Sequence, residues 1–333
     1  MKNYRTYIGI DVAKLTLDYC IVKEDPQLEQ GQILNTQKSV DKFLKTLKKT
    51  GCQMNETLFV FENTGIYSSL LALVLSENSL DYAQVPALEI KRSLGITRGK
   101  SDKVDVKEIA HYAKRNTDKI ALSTLPELSL QQLKRVFSER EKTVAAIKTF
   151  ERTKENEMFL TKEVFNSVKA INNQTVKHLK KQLVMLDEKI RTLIREDENL
   201  YGQQQLLKSI PGIGDITSVY ILMATKGFTA FTSGRKFACY SGVAPFEHSS
   251  GTSIKGKTRV SHLADKKMKT LLHMASLTAI KYDPELKDYY NRKKAEGKHT
   301  MLVLNNIKCK MVYRIFAVIQ RKSNFVNLHK FAA

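Results

Sequence analysis

Between Leu128 and Tyr201 the chain contains neither glycine nor proline, and its apolar residues recur at intervals that only a helix brings to one side. Leu130, Leu133, Phe137, Arg140, Val144 and Ile147 are spaced 3, 4, 3, 4 and 3 residues apart. Val176, Leu179, Leu183, Leu186, Ile190 and Leu193 repeat that rhythm. Such spacing draws one apolar stripe along each helix, and it is the seam of a coiled coil. The sequence therefore predicts two long helices over residues 119–200, packed on each other or on a second subunit. Both arrangements are open at this level.

The residues before these helices read differently. Tyr7 to Asp11 (YIGID) and Leu17 to Val22 (LDYCIV) have strand character and are joined by a short turn. Thr57 to Glu62 (TLFVFE) is nearly all apolar, as in a strand covered on both faces. Val40 to Lys49 and Tyr67 to Ser76 have helical spacing, Tyr82 to Val85 reads as a further short strand, and a helix is predicted from about Asp102 to Asn116. Alternation of this kind predicts an α/β layer over residues 1–118.

After the helices comes LLKSIPGIGDITSVYILMA, two apolar helical runs flanking Pro211-Gly212-Ile213-Gly214. This reads as a helix-hairpin-helix, in which hairpin amides and the following helix N-terminus face a phosphate. A plain turn between packed helices is the alternative. A loop-rich stretch, 231–262, and a basic helical region to about Lys322 complete the third part, 201–333. The fold class is thus α/β plus α.

The net charge of +21 is not spread evenly. Residues 1–118 carry 17 basic and 15 acidic side chains, residues 119–200 carry 16 and 12, and residues 201–333 carry 22 and 7. The last part therefore carries the excess, as a surface that grips a polyanion would. No apolar run reaches the length of a membrane span, and no signal-peptide core stands out, so an intracellular, cytoplasmic protein without a membrane partner is expected. Four scattered cysteines, Cys20, Cys52, Cys239 and Cys309, exclude a disulfide framework and a cysteine zinc site.

Acidic residues fall at suggestive places. Asp11 and Glu62 each close a predicted strand, and Asp102 and Asp105 stand three apart at a predicted helix start, on one face. Singly, each has an ordinary use: a strand-ending turn, an ion pair with lysine, a helix cap. Jointly they suit a nuclease core. Four converging carboxylates repel unless cations neutralise them, and oxygen-only ligation suits Mg²⁺ or Mn²⁺, two of which can assist an in-line phosphoryl transfer.

The strings YIGIDVAK, FENTGIY, RGKSDKVDVKEIA, SIPGIG and SSGTSIKG, in this order, resemble the "one-ten" family of bacterial insertion-sequence transposases, the DEDD transposases regarded as bridge-RNA-guided serine recombinases. The resemblance spans almost the whole chain. It implies a ribonuclease-H-like (RuvC-like) N-terminal domain whose DEDD carboxylates are Asp11, Glu62, Asp102 and Asp105, a coiled-coil linker, and a C-terminal transposase domain. It further implies a nucleophilic serine, Ser250 in Ser250-Gly251-Thr252-Ser253, a structured guide RNA pairing with donor and target DNA, assembly as dimers to tetramers, and association with the bacterial nucleoid. Lys255, Lys257 and Arg259 follow the serine as phosphate contacts, and Gly212 and Gly214 lie in the hairpin. The chain departs from the family's Ser-Lys-x-Gly run, having Ser261-His262-Leu263-Ala264-Asp265 instead, and no role is carried to those positions.

A serine hydroxyl is a weak nucleophile until a base or metal activates it, and carboxylate-held cations would do so. Three functions follow: an RNA-guided recombinase that excises and inserts its element, a metal-dependent junction nuclease using water, and a non-enzymatic RNA-binding scaffold.

Overall fold

The computed structural model describes residues 2–23, 28–93, 102–152, 158–250, 254–260 and 263–327, with the side chains of residues 102, 103, 247–250 and 254–259 outside that description. Two compact units divide the chain, Met1–Leu125 and Pro126–Ala333.

The first unit comprises β1 (Thr6–Val12), β2 (Thr16–Lys23), β3 (Leu28–Leu34), α1 (Gln37–Lys49), β4 (Thr57–Glu62), α2 (Ser69–Glu77), β5 (Tyr82–Val85), α3 (Ala87–Ser93) and α4 (Asp102–Arg115). Its five-stranded sheet has the order β3-β2-β1-β4-β5, with β1–β2 and β2–β3 antiparallel and β1–β4 and β4–β5 parallel. This order and these directions fit the expected ribonuclease-H-like layout.

Both sheet faces are covered, which is why the central strands are apolar on successive residues. Ile8, Ile10, Val12, Phe59 and Phe61 pack with Val40, Phe43 and Leu47 of α1 and with Leu71 and Leu75 of α2. Tyr7, Leu58 and Val60 point the other way, against Val106, Ile109, Ala110 and Ala113 of α4. The edge strand β3, with sequence LEQGQIL, is largely exposed, and its polar composition gave no strand signal.

The second unit comprises α5 (Leu128–Arg152), α6 (Lys162–Arg195), α7 (Glu198–Lys208), α8 (Asp215–Thr225), α9 (Gly234–Tyr240), β6 (Pro245–Ser250), β7 (Ile254–Val260), α10 (Lys266–Tyr282), α11 (Pro284–Ala295) and α12 (Thr300–Arg321). Helices α5 and α6 run antiparallel, since Arg140 Nε donates to Asp187 at 2.6 Å and Lys180 pairs with Glu151 at 2.8 Å. Arg140, at a seam position of α5, is thus a satisfied charge and not a core hydrophobe. Leu130, Leu133, Phe137, Ile190 and Leu193 join a core made with α7, α8, α10 and α12. Farther along α6 the seam residues Val176, Leu179, Leu183 and Leu186 are only half-buried.

One expectation is corrected here. The stretch 231–262, read as loop-rich, contains the helix α9 and an antiparallel two-stranded hairpin, β6–β7. Ser233 caps α9, accepting from Lys236 N. The hairpin escaped detection because serine and glycine break its alternation, and a bulge between Phe246 and His248 shifts its register.

Candidate active site

The N-terminal acids are placed by strand periodicity. Asp11 lies two residues beyond Gly9 on β1, so its side chain leaves the sheet on the α4 side, and Glu62 shares that side with Leu58 and Val60. The parallel register pairs Ile10 with Phe61, which sets Asp11 and Glu62 beside each other one residue farther on. Both are half-buried.

Helix α4 brings the third element. Lys114 Nζ near its C-terminal end donates to Lys23 O at 3.0 Å, and Thr117 Oγ1, just past that end, donates to the Tyr7 hydroxyl at 3.2 Å. The end of α4 therefore sits at the beginning of β1, and its first turn, carrying Asp102 and Asp105, lies toward the strand ends that carry Asp11 and Glu62. Gly9 permits this contact. A Cβ there would stand 2.4 Å from Ala110 N and 2.6 Å from Val106 O, both helix backbone. Gly9 is thus a positioning residue for α4 that sequence reading did not single out.

Asp18 was also missed. Across the antiparallel ladder it is the direct partner of Asp11, and Gln32 Nε2 donates to its two carboxylate oxygens at 2.9 and 3.2 Å. Like charges directly opposite are unfavourable, so an acid at that place marks an edge that tolerates cations. Two buried oxygens near the same edge, Thr64 Oγ1 and Asn35 Oδ1, have no hydrogen-bond partner among the described residues. The donor set is wholly oxygen and fits a hard divalent cation. Among the described residues no three His, Cys, Asp or Glu side chains come close enough to hold an ion by themselves, and the side chain of Asp102 lies outside those residues. His111, on α4, has its pKa lowered by burial first and then by Lys107, Arg115 and Lys114, so it is neutral at pH 7.

In the second unit Ser250 ends β6 and pairs with Ile254, which places it at the tip of the hairpin. Lys255, Lys257 and Arg259 lie on β7. The side chains of all four lie outside the described residues. At the base of this hairpin, Asp265 accepts hydrogen bonds from the Tyr240 hydroxyl at 2.7 Å, the Tyr220 hydroxyl at 2.9 Å and Met268 N at 2.8 Å. Burial, reinforced by this carboxylate, holds both tyrosines far above the usual phenol range, so they are donors and not nucleophiles.

The two hairpin glycines between α7 and α8 differ. Gly212 has φ +94°, and a Cβ on it would lie 2.3 Å from Ala275 O of α10. Gly214 is the N-cap of α8, has φ −98° and would find nothing within 4 Å of a Cβ. Gly212 serves packing inside the protein, whereas Gly214 leaves the α8 N-terminus open. Asp215 in the first turn of α8 pairs with Lys208 at 2.6 Å and meets the helix dipole.

Comparison with known proteins places the chain among transposases. A family model described as the transposase IS116/IS110/IS902 family matches residues 204–291, and a DEDD transposase model of the IS110 type matches residues 8–156. The pilin gene-inverting protein of Moraxella bovis is 27% identical over 326 residues, covering 96% of this chain and 98% of that protein. Its counterpart in Moraxella lacunata is equally similar, at 27% over 326 residues. An insertion element IS900 protein of 42 kDa from Mycobacterium paratuberculosis is 33% identical over 134 residues, covering 39% of this chain and 33% of that protein. The DEDD type is defined by acids that work with divalent metal ions, and no helix among the described residues is long and apolar enough to cross a membrane. The matched spans contain the carboxylate edge and the serine hairpin, and the chain is a DNA transposase belonging to the IS110 family of insertion-sequence transposases.

Proposed function

We propose that this transposase excises and inserts its element as an RNA-guided recombinase, joining DNA transiently to Ser250. The carrying observation is the placement of Asp11 and Glu62 side by side on adjacent parallel strands, facing the helix that begins at Asp102. Asp11, Glu62, Asp102 and Asp105 would hold divalent cations, Mg²⁺ or Mn²⁺. Cations held there would offset the charge of a scissile phosphate.

The remaining steps belong to the chain. Ser250 gives up its proton as Oγ bonds to phosphorus, and the bond from phosphorus to the leaving sugar oxygen breaks. That sugar oxygen takes up a proton. A sugar hydroxyl of the exchanged strand later attacks the phosphoserine and restores the serine, so the bond energy is kept and no nucleotide triphosphate is spent. Relatives named for gene inversion support rejoining over simple hydrolysis, because an inverted segment must be resealed at both ends.

The basic C-terminal part supports nucleic-acid contact, with Lys255, Lys257, Arg259 and the α8 N-terminus at Gly214 as phosphate partners in a helix-hairpin-helix. Gly212 then acts by shaping that hairpin. A structured guide RNA is the second nucleic acid. The half-buried seam of α6 supports dimers or tetramers, since a partner helix would cover it. Association with the nucleoid follows from DNA binding.

The test is a denaturing gel with end-labelled element DNA, guide RNA and Mg²⁺. A protein–DNA adduct should form, disappear in Ser250→Ala, and disappear in Asp11→Asn. Free cleavage by Ser250→Ala would favour the water-using nuclease, and unchanged activity in Asp11→Asn would favour a scaffold.

A further inference from the structure

The ladder between β1 and β4 runs from Thr6–Thr57 to Ile10–Phe61, so Asp11 and Glu62 stand one residue past its last pair. Asp11 is held from the β2 side, by its pairing with Asp18, and Glu62 from the β5 side, by its pairing with Val85. The two acids are thus gripped from opposite sides of the sheet. Their mutual spacing depends on what joins the segments that leave β1 and β4.

Asn35 joins them. It follows β3, and its carboxamide nitrogen donates to Ala13 O, two residues beyond Asp11, and to Tyr67 O, five residues beyond Glu62, each at 3.0 Å. Its backbone N donates to Leu15 O at 2.8 Å, on the other side of the β1–β2 turn. One residue therefore ties the YIGIDVAK segment to the FENTGIY segment. Asn35 is itself fixed from both sides, since Leu34 pairs with Thr16 in the β2–β3 ladder and Thr36 caps α1, its side chain accepting from Ser39 N. Held between a ladder and a helix cap, the amide is a preset clamp.

The choice of asparagine is informative. A carboxamide offers two N–H groups at a fixed angle on a short stem, and here each meets a carbonyl of a different segment. Serine offers one donor, ionised aspartate none, and leucine the shape without the donors. Asn35 Oδ1 is buried and has no hydrogen-bond partner among the described residues. A buried oxygen without a partner costs stability, so this side chain serves through its nitrogen.

We propose that Asn35 is a positioning residue of the carboxylate edge, holding the segments that leave β1 and β4 together so that Asp11 and Glu62 can share a divalent cation. The inference rests on the reading of those acids as cation ligands. Asn35 acts through the backbone beside them and is not itself a ligand.

The test titrates Mn²⁺ into the full-length, nucleic-acid-free protein by calorimetry. It compares the parent with Asn35→Leu, which keeps the branched shape and removes both donors, and with Asn35→Ala. Each should weaken Mn²⁺ binding by about tenfold, as the loss of outer supports of a metal site does. Asn35→Ser, with one donor left, should fall between Asn35→Ala and the parent. With labelled DNA, Asn35→Leu should need about tenfold more Mn²⁺ for half-maximal cleavage, and saturating Mn²⁺ should restore the parent rate. Leu47→Ala supplies the contrast of a purely structural loss. Leu47 is a core residue of α1 whose carbonyl accepts from Cys52 N, and Cys52 lies against Thr6 at the start of β1, away from the acids. Its truncation should lower the melting temperature and leave Mn²⁺ affinity unchanged. Asp11→Asn reports on the acids themselves and should weaken Mn²⁺ binding. Parent-like affinity in Asn35→Leu and Asn35→Ala, with weakened binding in Asp11→Asn, would overturn the positioning role and leave the ligand reading standing. Parent-like affinity in Asp11→Asn would overturn both. An equal loss of affinity in Leu47→Ala would also overturn the positioning role, reducing it to general loosening of the unit. If Asn35→Leu fails to fold, Asn35→Ala and Asn35→Ser decide.

Discussion

Replacing Gly212 by alanine separates two uses of the turn between α7 and α8. With φ at +94°, a non-glycine residue is forced into a left-handed conformation, at a cost of about 1–3 kcal/mol. The added methyl would also lie 2.3 Å from Ala275 O and 3.0 Å from Ala279 N, backbone atoms of α10 that cannot yield without moving the helix. Overpacking of this sort costs another ~1–3 kcal/mol. At ~2–4 °C per kcal/mol for a unit of about 200 residues, the melting transition of the second unit should fall by roughly 5–20 °C. Differential scanning calorimetry of the full chain reads this directly. Gly214→Ala is the counterpart, with φ −98° and nothing within 4 Å, and should shift the melt by at most a few degrees while weakening DNA binding. A Gly212→Ala protein melting within about 2 °C of the parent would refute the close-approach argument. Equal DNA affinity in Gly214→Ala would remove the α8 N-terminus from the phosphate contacts.

Gly9→Ala should push α4 off β1, because its methyl would meet Ala110 N at 2.4 Å, and calorimetric titration should then show weaker Mg²⁺ binding. Asp187→Ala removes the 2.6 Å partner of Arg140, whose side chain is only 14% exposed, and leaves it Glu141 at 3.5 Å, so chemical denaturation should show a loss of about 1–3 kcal/mol. Replacing both partners, Arg140→Met with Asp187→Leu, should recover most of that loss. His111 should titrate by NMR with a midpoint below 6.5. Since its folded pKa is depressed, the unfolded chain takes up the proton first, so stability is full above pH 6.5 and is lost as pH falls through the folded pKa. In His111→Gln that part of the pH dependence should vanish.

What the sequence disclosed and what it hid follow from where the physics lies. Strands β1, β2 and β4 are legible because burial on both faces demands apolar residues in succession, and α5 and α6 because one seam needs a fixed period. β3 is a polar edge whose only reward is its ladder with β2, so LEQGQIL carries no signal. The acids at 11 and 62 could be read as a pair because strand ends converge. Asp18 could not, since opposition to Asp11 depends on the register of a hairpin. Gly9 and Gly212 are meaningful only once a helix is known to press on each. Lys308 was counted among the basic residues of a helical region, although its spacing from Leu304, Met311 and Ile315 is that of the core stripe.

The two units pose opposite electrostatic problems. In the first, acids gather at one sheet edge, with Asp11 opposite Asp18 and beside Glu62. In the second, positive charge exceeds negative and reaches inward as far as Lys308. A fold selected for stability alone would have spaced like charges apart, since acids gathered at one edge and an excess of positive charge each lower the free energy difference between folded and unfolded chain. Under the proposed function both conflicts would be relieved by ligands, divalent cations for the acids and nucleic-acid phosphates for the basic residues. Ligands that bind only the folded state stabilise it by mass action, by about 2.7 kcal/mol at a hundred times the dissociation constant. The free transposase should therefore be the less stable form, with assembly on nucleic acid completing its electrostatics.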